Sequence, residues 1–184
     1  MFIIEFIQDG GFFMYPILLV LIIGLAIVVE RLLYLSKVKK LNKAVWDDIY
    51  PQLSKGQLAQ VQEKLKKSDS AISRVLSNGL SRAVTSKRID DVESALEEGL
   101  MEVMPRLEAR TPYVSTFANI ATLLGLTGTV QGLIAAFEAV ANADPALKGD
   151  LLSNSISIAM NTTLFGLIVA IPLVLAFTYL QSRT

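Results

Sequence analysis

TPYVSTFANIATLLGLTGTVQGLIAAF, residues 111–137, contains no charged side chain. As a helix it would rise about 40 Å, more than the roughly 30 Å hydrocarbon core of a bilayer requires. Two further uncharged runs, 10–29 and 151–182, are also long enough to cross. Residues 111–137 differ from a plain anchor, which would carry leucine. Ala118, Thr122, Gly125, Thr129, Gly132 and Ala136 recur at steps of four and three, a spacing that predicts one narrow helical face. In lipid no hydrophobic force drives helices together, so a stripe of small residues is what lets two backbones approach closely. In the last run Ser155, Ala159, Thr163, Gly166 and Ala170 form a comparable stripe, and Asn154, Ser157 and Asn161 make its outer half polar. The fold class read from this is an all-α membrane protein of three transmembrane helices.

Working outward, residues 1–9 read as an amphipathic lead-in at the outer interface, with Phe2, Ile3, Phe6 and Ile7 on its apolar side. The lead-in has neither a basic n-region nor a small-residue cleavage site, so the first span, 10–36, is expected to persist in the mature protein. Residues 37–110 hold all of the 17 Lys and Arg except Arg31, Lys148 and Arg183. The positive-inside rule places that block in the cytoplasm, the N-terminus outside and the C-terminus inside. The second span is then 111–138, the outer loop 139–150 and the third span 151–184. Glu30 and Arg31 read as an interfacial anchor.

Within 37–110 the apolar residues keep helical spacing. Leu41, Val45, Ile49 and Leu53 form one stripe, and Leu58, Val61 and Leu65 another. Ile72, Val75, Leu76 and Leu80 make a third, and Val92, Leu96, Leu100, Val103 and Leu107 a fourth. Breaks are expected near Ser54-Lys55-Gly56 and Ser68-Asp69-Ser70, with Pro105 and Pro112 kinking the approach to the second span rather than ending a helix. The block reads as a cytoplasmic helical domain between the first and second spans.

Composition excludes much chemistry. There is no Cys and no His among the 184 residues, so disulfides, thiolate nucleophiles, the usual neutral-pH acid–base group and the commonest metal ligand are absent. No Gly-Lys-Ser/Thr follows a glycine-rich turn. A formal net charge of zero gives no electrostatic case for nucleic acid. The reading is a non-enzyme without cofactor or metal.

The polar stripes admit two readings. Spacing alone favours helix packing, with hydroxyls bonded back to their own helices. Against that, Asn161 carries an amide costly to face lipid, beside Thr162 and Thr163. Thr129 lies about 13 Å in from Glu138, and Thr163 about 20 Å in from Asp150, so both hydroxyls fit one intramembrane zone. No Asp, Glu, Lys, Arg or His lies in any of the three uncharged runs. The chain therefore cannot carry a proton by titration. If ions cross here, a partner supplies the carboxylate.

At GLTGTVQG, 125–132, and NTTLFGLIVAIP, 161–172, the chain resembles the MotA/TolQ/ExbB proton channel family, and over nearly its whole length the ExbB/TolQ branch. The resemblance implies a homopentamer in the bacterial inner membrane around a dimer of a single-span ExbD/TolR-like partner. That partner's membrane Asp carries the ion, and rotation of the pentamer passes work to a TonB- or TolA-like protein. It implies an ion path along Thr129 and Thr163, which match the family's two pore threonines, with Thr162 and Asn161 widening the polar zone. The pore and packing stripe would be Thr122, Gly125, Gly132, Ala159 and Gly166. Ile158 departs from the pattern, because some proton-driven members have a glutamate there. Proton is the expected ion and sodium the alternative, since Ser157, Asn161 and Thr162 offer neutral oxygens. A structural scaffold without conduction is the reading from a different class. A four-span flagellar-type stator and a solute transporter with internal repeats fit the sequence less well.

Overall fold

The computed structural model of the chain describes residues 11–86 and 88–184; the expected lead-in, 1–9, lies outside them. Among the described residues there are helices and no strands: α1 (Met14–Leu53), α2 (Leu58–Lys66), α3 (Ala71–Thr85), α4 (Ile89–Glu108), α5 (Thr111–Ala141) and α6 (Lys148–Gln181). Three stretches are long and apolar enough to cross a membrane, in α1, in the run Ile89–Ala141, and in α6. Residues 11–29 with 110–182 form one compact unit, and 30–109 with 183–184 another.

The first unit is built on α5 and α6, joined by the short loop 142–147. The loop is shorter than the expected 139–150 because both helices run past their apolar stretches. The Leu147 amide closes its turn on the Asp144 carbonyl at 2.9 Å, where Asp144-Pro145 signals one. The start of α1 packs on this pair through Gly24, where a Cβ would stand 2.8 Å from Leu173 Cδ2. Only 28%, 22% and 28% of the three apolar windows is buried within the chain. Leu126, Val130, Ile134, Leu164, Ile168 and Ile171 are exposed, which suits lipid or other helices but not water.

The second unit centres on Ile49, Val61, Leu65 and Leu80, with Val45, Leu53 and Leu76 packed against them. The helix that holds the first span continues past residue 36: residues 25–50 contain neither Gly nor Pro, and Pro51 stays inside the last turn before Leu53. Gly56 then turns the chain at φ +72°, a conformation in which a Cβ would be strained. Ser70 caps α3 by accepting from the Ser73 amide at 3.1 Å. On α2, the Lys67 ammonium, bonded at 2.8 Å, holds the fully exposed Glu63 carboxyl below its ordinary range.

Two expectations need correction here. Leu41 and Leu100 are exposed, 46% and 50%. On α4 the packed positions are Gly99 and Val103, because glycines bring α3 and α4 together: a Cβ on Gly99 would lie 3.0 Å from Val75 Cα, and one on Gly79 would collide with Leu96. The break before α5 is also complete rather than a kink. Pro105 stays inside α4, Arg110 takes φ +66°, and Pro112 sits in the first turn of α5, where its missing N–H has no helical partner to lose.

Candidate functional site

The seam between α5 and α6 is made of glycine. A Cβ on Gly166 would stand 2.8 Å from the Ala121 carbonyl oxygen and 3.0 Å from Gly125 Cα; one on Gly125 would lie 3.3 Å from the Cα atoms of Gly166 and Thr163. Backbone therefore touches backbone at this level, which side chains larger than hydrogen would prevent. Two turns on, a Cβ on Gly132 would be 2.6 Å from Ala159 Cβ. Gly125, Gly132, Ala159 and Gly166 thus meet across one seam.

Thr122 does not join them. The buried positions of α5 are Thr111, Val114, Ala118, Ala121, Gly125, Gly128 and Ala136. Thr122 is exposed and Thr129 half-buried, each one residue round from Ala121 and Gly128. Both registers fit the same four-and-three spacing, and α6 takes the one with smaller side chains. A Cβ on Gly128 would collide with the Thr162 methyl. The two threonines are left on the flank of the seam.

The hydroxyls divide accordingly. Thr122 donates to the Ala118 carbonyl at 3.2 Å, Thr129 to Leu126 at 2.6 Å and Thr162 to Ile158 at 3.0 Å, each within its own helix. Thr163 instead crosses the seam to the Gly125 carbonyl at 2.9 Å. Thr129 lies one turn past Gly125, about 6 Å along α5. The hydroxyls of Thr129 and Thr163 are therefore close in depth. A hydroxyl whose hydrogen is committed to a carbonyl still has oxygen lone pairs to offer a cation or water. Thr129 and Thr163 are both half-buried, as is Asn161, whereas Thr162 is only 2% exposed. Thr162 is consequently a packing group rather than an open oxygen.

The sequence profile of the MotA/TolQ/ExbB proton channel family matches residues 67–184, which include the whole α5–α6 hairpin. The chain belongs to this family. Its relatives among known proteins carry ExbB and TolQ names. An ExbB homolog of the biopolymer transport proteins from Methanothermobacter thermautotrophicus is 27% identical over 183 residues, 98% of this chain and 63% of its own length. The Tol-Pal system protein TolQ of Haemophilus influenzae is 34% identical over 101 residues, 50% of this chain and 44% of its own. The biopolymer transport protein exbB1 of Vibrio cholerae is 44% identical over 55 residues, 30% of this chain and 24% of its own. The chain thus spans less than two thirds of the length of these relatives.

One contact has no signature in the sequence. Arg31 is 5% exposed. Its Nε and Nη2 donate to the two Glu30 carboxylate oxygens at 3.1 and 2.7 Å, and its Nη1 donates to the Ala109 carbonyl at 2.7 Å. The guanidinium also stacks 4.6 Å from the Tyr34 ring centre. Arg31 thus clamps the C-terminal end of α4 onto α1, with a cation where the helix end is negative.

Proposed function

We propose that this chain is an ExbB/TolQ-like stator subunit of the bacterial inner membrane. Five copies surround a single-span ExbD/TolR-like partner, and ion flow between them drives TonB- or Tol-type work. Thr129 and Thr163, with Asn161 beside them, form the neutral oxygen-bearing wall of the ion path. The partner's membrane carboxylate takes up and releases the ion. The cytoplasmic domain is 37–110, the loop 139–150 lies outside, and the C-terminus is cytoplasmic.

One observation carries this reading. The α5–α6 seam commits its hydroxyl hydrogens to carbonyls and presents oxygens, yet neither helix has an Asp, Glu, Lys, Arg or His between residues 111 and 137 or 151 and 182. Such a wall can orient water or hold a cation but cannot relay a proton alone, so the chemistry is complete only with an acid from elsewhere. Family membership supports the same conclusion. The test is co-expression with a single-span subunit bearing a membrane Asp, followed by native mass measurement of the purified assembly. A five-to-two complex is expected; a chain that purifies without the subunit contradicts the reading.

Sodium is the second reading, favoured by Ile158, a half-buried aliphatic side chain next to neutral oxygen donors. Work that persists in sodium-free buffer excludes it. A scaffold without conduction remains the third, favoured by the burial of Thr162; it predicts that collapsing the membrane potential changes nothing.

A further inference from the structure

In the second unit, a cavity of about 180 Å³ is lined by Tyr34, Val38 and Leu41 of α1, Arg74 of α3, and Val103 and Arg106 of α4. That is several times the roughly 30 Å³ share of one water. Its walls combine aliphatic side chains with two guanidinium groups, and the one acidic residue lining it is Asp69. Arg74 is already engaged: Asp69 Oδ1 accepts from its Nη2 at 2.5 Å and its Nε at 3.1 Å, and Glu102 stands 3.9 Å from Nη1. Arg106 is different. It is exposed and forms neither an ion pair nor a side-chain hydrogen bond among the described residues.

Position along α1 says what the cavity meets. Tyr34 and Val38 lie five and nine residues beyond Val29, the last residue of the uncharged run, or about 7 and 13 Å along the helix. The headgroup zone extends about 5–8 Å beyond each face of the hydrocarbon core, so the cavity begins at headgroup depth. A tyrosine there is usual for such an interface. Lys37, Lys39, Lys40 and Lys43 follow on the same helix, a juxtamembrane basic cluster of the kind that attracts anionic lipid.

We propose that this cavity binds the headgroup phosphate of an anionic phospholipid. Arg106 makes the principal contact, because its guanidinium has no internal carboxylate to displace and matches phosphate geometry. Arg74, tied to Asp69, adds field rather than a free donor. Tyr34, at the membrane end of the cavity, packs on the glycerol, a contact that a free phosphate ion cannot use. The four lysines raise the local concentration of anionic lipid.

The test uses the full chain in detergent micelles, titrated with phosphatidylglycerol, phosphatidylcholine or soluble glycerol phosphate and read by native mass spectrometry. Wild type should retain phosphatidylglycerol over phosphatidylcholine. Arg106→Gln should lower that preference about five-fold, the share of one basic group at an anionic surface, while Arg106→Lys keeps part of it. Arg106 is exposed and unpaired, so its replacement leaves the fold intact, and an unchanged melting temperature without added lipid checks this. An undiminished preference in Arg106→Gln overturns the proposal. So does glycerol phosphate displacing the lipid at equal concentration, which would assign the cavity to a soluble anion.

Discussion

The Thr163 hydroxyl donates to the Gly125 carbonyl at 2.9 Å, across a seam where the Cα atoms of α5 and α6 leave no room for a methyl group. This bond gives Thr163 two tasks. It ties two spans together where lipid supplies no hydrophobic drive, and it turns the oxygen lone pairs away from the carbonyl it serves. Thr129 bonds only within its own helix. The two threonines should therefore respond differently to substitution.

Thr129→Val should leave assembly and melting temperature unchanged while slowing energised transport about ten-fold, equivalent to roughly 1.4 kcal/mol of lost ion stabilisation. Thr163→Val should lose transport and also some stability, about 1 kcal/mol for the missing hydrogen bond. Thr163→Ser should restore both. Transport assays paired with thermal unfolding of the purified oligomer separate these outcomes. Full transport in Thr129→Val removes that residue from the ion path.

The seam can be tested by steric substitution alone. Gly166→Ala would press its methyl on backbone atoms, the Ala121 oxygen and Gly125 Cα, which cannot swing aside as a side-chain tip can. Destabilisation of about 1–3 kcal/mol is expected. Gly149→Ala at the start of α6 meets nothing within 4 Å, and it should be neutral or slightly stabilising through helix propensity. Thermal unfolding in detergent reads both, and equal effects would contradict the close approach.

Arg31→Leu should destabilise by about 1–2 kcal/mol, since it leaves the Ala109 carbonyl without its guanidinium donor. Arg31→Lys keeps the charge but not the fork that reaches both partners, so it should fall between. If Arg31→Leu unfolds at the wild-type temperature, the clamp is not structural.

Much of this architecture is legible in the residues. Three uncharged runs mark the spans, and Gly125 and Gly166 mark the place where two of them touch. The register is not legible, because Ala121 and Thr122, like Gly128 and Thr129, share the same spacing, and only the facing helix chooses between them. Thr162 and Thr163 pose the same ambiguity on α6, and only Thr163 faces the Gly125 carbonyl. The Arg31 clamp leaves no sequence signature, since one of its partners is a backbone carbonyl 78 residues away. The extension of α1 to Leu53 is readable from the lack of Gly and Pro over 25–50, whereas the charges from Lys37 onward speak to where the helix leaves lipid and not to where it ends.

The central claim is that this chain provides a wall and another molecule provides the acid. The direct measurement is proton flux into liposomes, followed with an internal pH dye under an imposed potential. Vesicles holding the chain alone should be no leakier than empty ones, and adding the single-span subunit should open a flux that Asp→Asn in that subunit abolishes. Sustained flux through the chain alone would contradict the account, because its three uncharged runs hold no Asp, Glu, Lys, Arg or His.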